Sequence, residues 1–150
     1  MQDSTKVLLG STGSSEKEVT NFKSKSETVV AAGLACILES DNTVSKDTSA
    51  GSLVGISLGN DLVDTKRTVV VRKGLRVPVQ LKTGFNPVIG ATVAIEDDTG
   101  LARAYTGTGD RYVNAVFSSA RIGTTGGIAE GSSTDTGTIG VAFIDFPGGL

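Results

Sequence analysis

The chain has 150 residues and a formal net charge of −2, with 20 glycines, one cysteine, no histidine and no tryptophan. The absence of histidine removes the most frequent general base and the most frequent metal ligand, and a single cysteine can form neither an internal disulfide nor a thiolate cluster. These features exclude most familiar catalytic and zinc chemistries, and we expect no enzyme activity, no metal and no cofactor.

The charge and the apolar runs also limit the expected partners. A net charge this close to zero predicts neither nucleic acid nor a membrane surface as a partner. No apolar run approaches the ~18 residues that a membrane-spanning helix needs. We therefore expect a soluble protein that is made inside the cell.

Residues 1–28 are dominated by Ser, Thr, Lys and Glu and cannot form a core of their own. They are predicted to be an N-terminal arm that is extended or partly disordered. The arm is either a mobile tail or a segment that becomes ordered against a neighbouring subunit. Its scattered apolar residues, which would serve as anchors in the second case, are Val7, Leu8, Leu9, Val19 and Phe22.

Residues 29–150 are predicted to form a single β domain, because short apolar runs alternate with turn residues and no long helical periodicity is present. Such spacing is typical of a small all-β barrel or sandwich. The runs, in chain order, are VVAAGLACIL, SLVGISL, RTVVVRKGLRVPVQL, ATVAIE, RYVNAVFSSA and TIGVAFIDF. Cys36 lies inside the first run, where a thiol is normally inert.

Two segments resemble each other weakly. Residues 33–41 and 90–98 share Gly, Glu and Asp at the same offsets, and each is followed by a turn and another apolar run. Both are predicted to be a strand, a turn with acidic residues and a returning strand, whether or not a duplication produced them.

The acidic and glycine-rich stretches are predicted to be turns. The cluster at 96–98 lacks the ligand spacing of a calcium loop, so Asp98 and Gly100 are assigned to turn geometry. The stretches 106–110 and 123–127 lack the Lys-Ser or Lys-Thr of a phosphate loop. The long connection 121–137 is either an interaction loop or a plain surface loop.

The run RTVVVRKGLRVPVQL is the densest β-forming stretch in the chain. Strict alternation predicts a half-buried strand with Leu75, Val77, Val79 and Leu81 inward and Arg76, Pro78, Gln80 and Lys82 outward. Lys73 and Gly74 predict a bulge or a break, which would divide the run into a strand pair. Pro78 indicates a sheet edge because it lacks a backbone donor.

The same run carries much of the positive charge, and no acidic residue occurs between Asp64 and Glu96. One interpretation is an edge strand that charge protects from aggregation. The other is a surface that docks on an acidic protein. Nucleic acid is disfavoured because aromatic residues are not interleaved with the basic ones.

Taken in order, SLVGISLGNDLVDTKRTVVVRKGLRVPVQL, the GATVAIEDDTG hairpin and GTIGVAFIDF resemble the capsid decoration (cement) proteins of tailed bacteriophages. The likeness spans roughly residues 28–146 and is one of pattern and length. It implies a small β-barrel-like or β-tulip-like domain that binds the outside of an icosahedral phage head. It also implies a structural, non-catalytic protein of the virion's exterior.

The resemblance implies two partners, the major capsid protein and further copies of the chain itself as a dimer or trimer. Neither direct nucleic-acid contact nor membrane contact is expected. The arm and the basic run supply the candidate contact residues, which are Val7, Leu8, Leu9, Phe22, Arg67, Arg72, Lys73 and Arg76.

The alternative is another phage structural β-barrel, such as a tail-tube or head-completion protein. A carbohydrate-binding domain is disfavoured. Sugar sites usually stack an aromatic ring on the sugar, and the chain has no tryptophan and only two tyrosines, Tyr105 and Tyr112.

Overall fold

Ten β-strands make up nearly all the regular structure of the computed structural model, which describes residues 17–46, 51–124 and 140–150. The strands are β1 (Lys17–Lys23), β2 (Ala35–Leu38), β3 (Val44–Lys46), β4 (Ser52–Asn60), β5 (Arg67–Leu81), β6 (Thr92–Glu96), β7 (Ala102–Arg103), β8 (Asp110–Phe117), β9 (Gly123–Thr124) and β10 (Gly140–Phe146). A 3-10 turn at Lys25–Glu27 is the one helical element in these ranges. Nothing helical in this part of the chain has the length or apolarity to cross a bilayer.

Five of the strands close into a barrel in the order β5-β7-β6-β8-β10, because β10 pairs back onto β5. The β5–β7 pairing is parallel and the other pairings are antiparallel, so the barrel is mixed. Strands β1 to β4 lie outside the barrel, and the short β9 pairs with β10. The predicted all-β fold with a small barrel is confirmed.

Apolar side chains form two clusters on opposite faces of β5. The barrel interior is filled by residues such as Val79, Phe117 and Ile144, all at most 1% exposed. A smaller cluster lies under the outer strands and contains Val70 and Cys36. Since side chains alternate along a strand, consecutive valines of β5 serve different cores.

Strand β5 is continuous over 15 residues, so the predicted division into two strands is wrong. The predicted irregularity near Gly74 is confirmed as a shift of the strand register. Gly74 pairs with Lys17 of β1 and with Phe146 of β10, and the register shifts on either side of it. The strand changes most of its neighbours there: its first half pairs with β1 and β4, and its second half with β10 and β7.

The alternation predicted for the second half of β5 is correct for Val77, Val79 and Leu81, which are buried. It is wrong for Leu75, which is only partly buried and lines a surface groove, and for two residues predicted to point outward. Pro78 and Gln80 are buried. The Gln80 side-chain amide donates to the Ala32 carbonyl at 2.7 Å, and its backbone N–H donates to the Gly33 carbonyl at 2.9 Å. A segment distant in sequence therefore covers the face that the local pattern assigned to solvent.

Pro78 has no backbone N–H to donate, and the hydrogen bonds of the residue opposite it explain why the ladder tolerates this. Pro78 lies opposite Phe143, whose N–H donates to the Ser119 hydroxyl and whose carbonyl accepts from Ser118 N–H. Phe143 thus requires no hydrogen bond from β5 at this point of the ladder.

The two similar sequence segments adopt the same strand order. Strand β2 lies between β3 and β4, and β6 lies between β7 and β8. Each unit starts at a glycine in the left-handed region, Gly33 at φ 90° and Gly90 at φ 87°, a conformation that favours glycine. Because of this glycine, β2 begins only at Ala35, whereas the apolar run starts at Val29.

Truncating the buried end of β8 should be costly, because Phe117 fills the barrel while its neighbour Val116 is 41% exposed. We expect Phe117→Ala to lower the free energy of unfolding by about 3–5 kcal/mol and Val116→Ala by less than about 1 kcal/mol. Urea denaturation measures both values. Equal losses would contradict the assigned inward face of β8.

Candidate interaction surface

The structure places four of the predicted contact residues along β5. Arg72, Lys73 and Arg76 are exposed and Arg67 is partly buried. Phe22 belongs to β1 and packs against the smaller core of its own chain. Val7, Leu8 and Leu9 lie outside the described residues.

Strand β1, which the sequence assigned to the arm, covers one edge of the basic half of β5. The Glu18 carboxylate lies 3.1 Å from the Arg72 guanidinium and 3.3 Å from the Lys73 ammonium group. Arg67 donates to the side-chain oxygen of Asn21 at 2.7 Å and to its carbonyl at 2.9 Å. Because one carboxylate is shared by two exposed cations, positive charge remains available on this surface.

Arg76 is fixed in an unusual conformation beside these residues. Its φ of 52° lies in the left-handed region, which is disfavoured for a residue with a side chain. Its backbone N–H donates to Asp145 Oδ1 at 2.7 Å, and its guanidinium lies 4.7 Å from the centre of the Phe143 ring. The hydrogen bond thus fixes the main chain of Arg76, and the cation–π contact holds its guanidinium at the barrel surface.

An apolar surface groove adjoins the basic residues. Leu75 and Pro147 line this groove and also a second depression that Lys17, Glu18 and Lys73 line. The far side of the groove is formed by β8, including Val116, and by Thr92 at the start of β6. Among the described residues, the one charged residue that lines the groove is Asp145, which accepts the Arg76 backbone N–H, so the exposed cations border the groove and do not line it. The groove together with its neighbouring cations is here called the basic groove (Lys73, Leu75, Arg76, Val116, Pro147).

The acidic cluster at 96–98 belongs to an internal network. The Glu96 carboxylate lies 2.6 Å from Lys82 Nζ and 2.8 Å from Arg103 Nη1, and it accepts from the Thr99 hydroxyl at 2.9 Å. Burial pushes the pKa of Glu96 upward, but the hydrogen bonds from Lys82 and Thr99 and the charges of Lys82 and Arg103 outweigh it, so the pKa lies below its usual value. The network ties the β6–β7 turn to the end of β5.

The turn assignments at these positions are confirmed. Asp98 and Gly100 have φ of 66° and 72° in the β6–β7 turn. The stretch 106–110 is a turn closed by the Asp110 carboxylate, which accepts from Thr106 N–H at 2.7 Å and from Gly107 N–H at 3.2 Å. The connection 121–137 and the stretch 123–127 lie largely outside the described residues.

The single cysteine of the chain is buried. Burial raises the pKa of the Cys36 thiol to about 12, so the thiolate nucleophile is scarce at neutral pH. Among residues 17–46, 51–124 and 140–150, no group of three or more His, Cys, Asp or Glu side chains is placed to hold a metal ion.

The sequence reasoning missed two apolar loop tips. Leu62 and Val63 at the β4–β5 turn are 94% and 95% exposed, and Val88 and Ile89 before β6 are 72% and 67% exposed. In the sequence, each tip is an apolar pair among turn residues, in GNDLVDTK and FNPVIG, and such a pattern predicts a loop.

The chain matches no protein-family model, and a search of curated proteins gives no significant match.

Removing the Glu96 charge should weaken the fold in a pH-dependent way. A lowered folded-state pKa means that the ionised carboxylate stabilises the fold above the ordinary glutamate pKa, and that this contribution disappears as the pH falls through the lowered pKa. We expect Glu96→Gln to lower the free energy of unfolding by roughly 2–4 kcal/mol at pH 7.

The difference between Glu96→Gln and wild type should shrink as the pH falls below the ordinary glutamate pKa and through the lowered pKa of the folded state, where the wild-type carboxylate also becomes protonated. Asp97→Asn, outside the network, is the matched control and should change the stability by less than about 0.5 kcal/mol. Urea denaturation across pH tests both statements. A loss that is independent of pH would contradict the role of the charge.

Two N-terminal deletions distinguish the contribution of residues 1–16 to stability from that of β1. Ser24 and Thr68 share a buried hydroxyl hydrogen bond of 2.7 Å, and β1 pairs with β5 from Lys17 to Lys23. We expect deletion of residues 1–24 to lower the free energy of unfolding by at least about 2 kcal/mol more than deletion of 1–16. Equal stabilities in urea would show that β1 contributes nothing to the fold.

Proposed function

We propose that this chain is a structural virion protein that decorates and stabilises the outer surface of an icosahedral phage head. It joins neighbouring major capsid subunits and acts as a homo-oligomer. Its role is non-catalytic, and it contacts neither nucleic acid nor a membrane.

The observation that carries this proposal is the basic groove. Lys73 lines a depression that shares Leu75 and Pro147 with the apolar groove, and Arg72 and Arg76 are exposed on the same strand. Of the residues that the structure describes, Asp145 is the one charged residue that lines the groove itself. An acidic protein surface with apolar side chains between its carboxylates has the complementary chemistry, since charge directs the encounter and apolar contact supplies affinity. The barrel holds the groove rigidly because its walls, β5, β8 and β10, pair within the barrel.

The arm supplies a second contact in this proposal. Val7, Leu8 and Leu9 precede Lys17, which lines the depression next to the groove. Lys17 thus lies beside the proposed capsid contact. In this proposal the apolar residues of the arm anchor to a neighbouring subunit.

Repetition makes modest contacts sufficient for retention. A symmetric oligomer that spans several capsid subunits converts every contact after the first into an intramolecular one, which raises the overall avidity by orders of magnitude. The same linkage stabilises the shell, because a ligand that binds only the assembled state favours that state.

Charge reversal in the groove should reduce binding to heads that lack this protein. We expect Arg72→Glu with Arg76→Glu to weaken co-sedimentation at least roughly tenfold, and wild-type binding to fall as salt rises. Lys23→Glu, an exposed charge reversal at the other end of β1, is the matched control and should bind normally. Deletion of 1–16 tests the arm without removing β1.

Failure of the wild-type protein to bind such heads would overturn the proposal. Assembly of the purified protein into rings or tubes would instead favour a tail-tube or head-completion role. Equal loss in the groove variant and the control would show that general charge, and not the groove, drives binding.

A further inference from the structure

The β4–β5 turn presents two apolar side chains on a fixed support. Leu62 and Val63 are almost fully exposed. The turn beneath them is closed by Asp61, which accepts from Asp64 N–H at 2.9 Å, and by Asp64, which accepts from Lys66 N–H at 3.1 Å. We call residues 61–64 the acidic knob, because two carboxylates flank the apolar pair.

The Asp61 carboxylate of the knob is stabilised in its charged form. The backbone hydrogen bond from Asp64 holds the pKa of Asp61 below its usual value. The knob therefore combines apolar side chains with negative charge on either side of them, on a support that needs little ordering upon binding.

A hollow of complementary character lies on the same chain. Its apolar lining includes Val29, Val30 and Leu34. Its rim carries Lys25 and Lys46, both exposed. Lys25 also pairs with Glu39 at 3.0 Å. We call it the lysine-rimmed hollow.

The knob and the hollow lie close to each other in the molecule. Lys66, at the base of the knob, pairs with Glu27 at 3.1 Å, and Glu27 lies between the hollow residues Lys25 and Thr28. Val30 of the hollow donates to the Thr68 hydroxyl at 3.2 Å, just beyond the same hairpin. The exposure of Leu62 and Val63 shows that the knob does not fill the hollow of its own chain.

We propose that two copies of the chain dock about a twofold axis, each inserting its acidic knob into the lysine-rimmed hollow of the other. Adjacent complementary features on one surface suit a twofold arrangement, because every knob-to-hollow contact is then made twice. Asp61 and Asp64 of one copy face Lys25 and Lys46 of the second copy, so charge and apolar surface match together. This contact would provide the homo-oligomer of the proposed function but does not rest on capsid binding.

Analytical ultracentrifugation of the purified full chain tests the proposal. Wild type should sediment as a dimer. Leu62→Ser with Val63→Ser should raise the dissociation constant at least about a hundredfold, because four anchors per dimer lose apolar burial. The matched control, Val88→Ser with Ile89→Ser, removes the other exposed apolar pair and should leave the dimer intact.

Two single changes test the charges without disturbing the apolar pair. Asp64→Asn keeps an oxygen acceptor for Lys66 N–H, and Lys46→Gln keeps the length of the rim side chain. Each should raise the dissociation constant roughly two- to fivefold at low salt, and less at high salt. Unchanged urea midpoints will show that the variants are folded.

A monomeric wild type at all accessible concentrations would overturn the proposal. So would a dimer that survives the knob substitutions, or one that the control pair disrupts equally. Head binding by wild-type protein is measured separately, so failure of the dimer and failure of the capsid proposal are distinguishable.

Discussion

The architecture depends on one shared strand. The first half of β5 carries β1 and β4, its second half carries β10 and β7, and the exchange takes place at Gly74. Its side chains reach both cores, with Val70 under the outer strands and Val79 in the barrel. Neither the barrel nor the outer strands can therefore retain their packing without β5, and the two parts form one continuous sheet.

This arrangement also determines where charge can be placed. Both faces of β5 are largely occupied by cores, so its cations gather at the irregular region around Gly74, where Arg72, Lys73 and Arg76 reach solvent. Strand β1 offsets part of that charge through Glu18 and leaves the remainder beside an apolar groove. The acidic knob lies at the opposite end of the first half of β5, so the proposed head contact and the proposed self-contact use different surfaces.

Local patterns predicted most strands of the barrel, because β5, β6, β8 and β10 carry β-branched or alternating apolar residues that are buried as expected. They did not predict β1, whose sequence KEVTNFK gains its structure from pairing with β5 and from burial of Phe22 by residues far along the chain. Burial of Gln80 was missed for the same reason, since residues 32–33 cover it. The basic residues were recognised from sequence, but the side chains that pair with them and the groove beside them depend on the fold.

Native-state hydrogen exchange along β5 tests the central claim that this strand unites the barrel and the outer strands. Amides on both sides of Gly74 should exchange through the same opening, with one free energy equal to that of global unfolding. Exchange of the first half at a distinctly lower free energy, while the second half stays protected, would show that the outer strands open independently and would contradict the account.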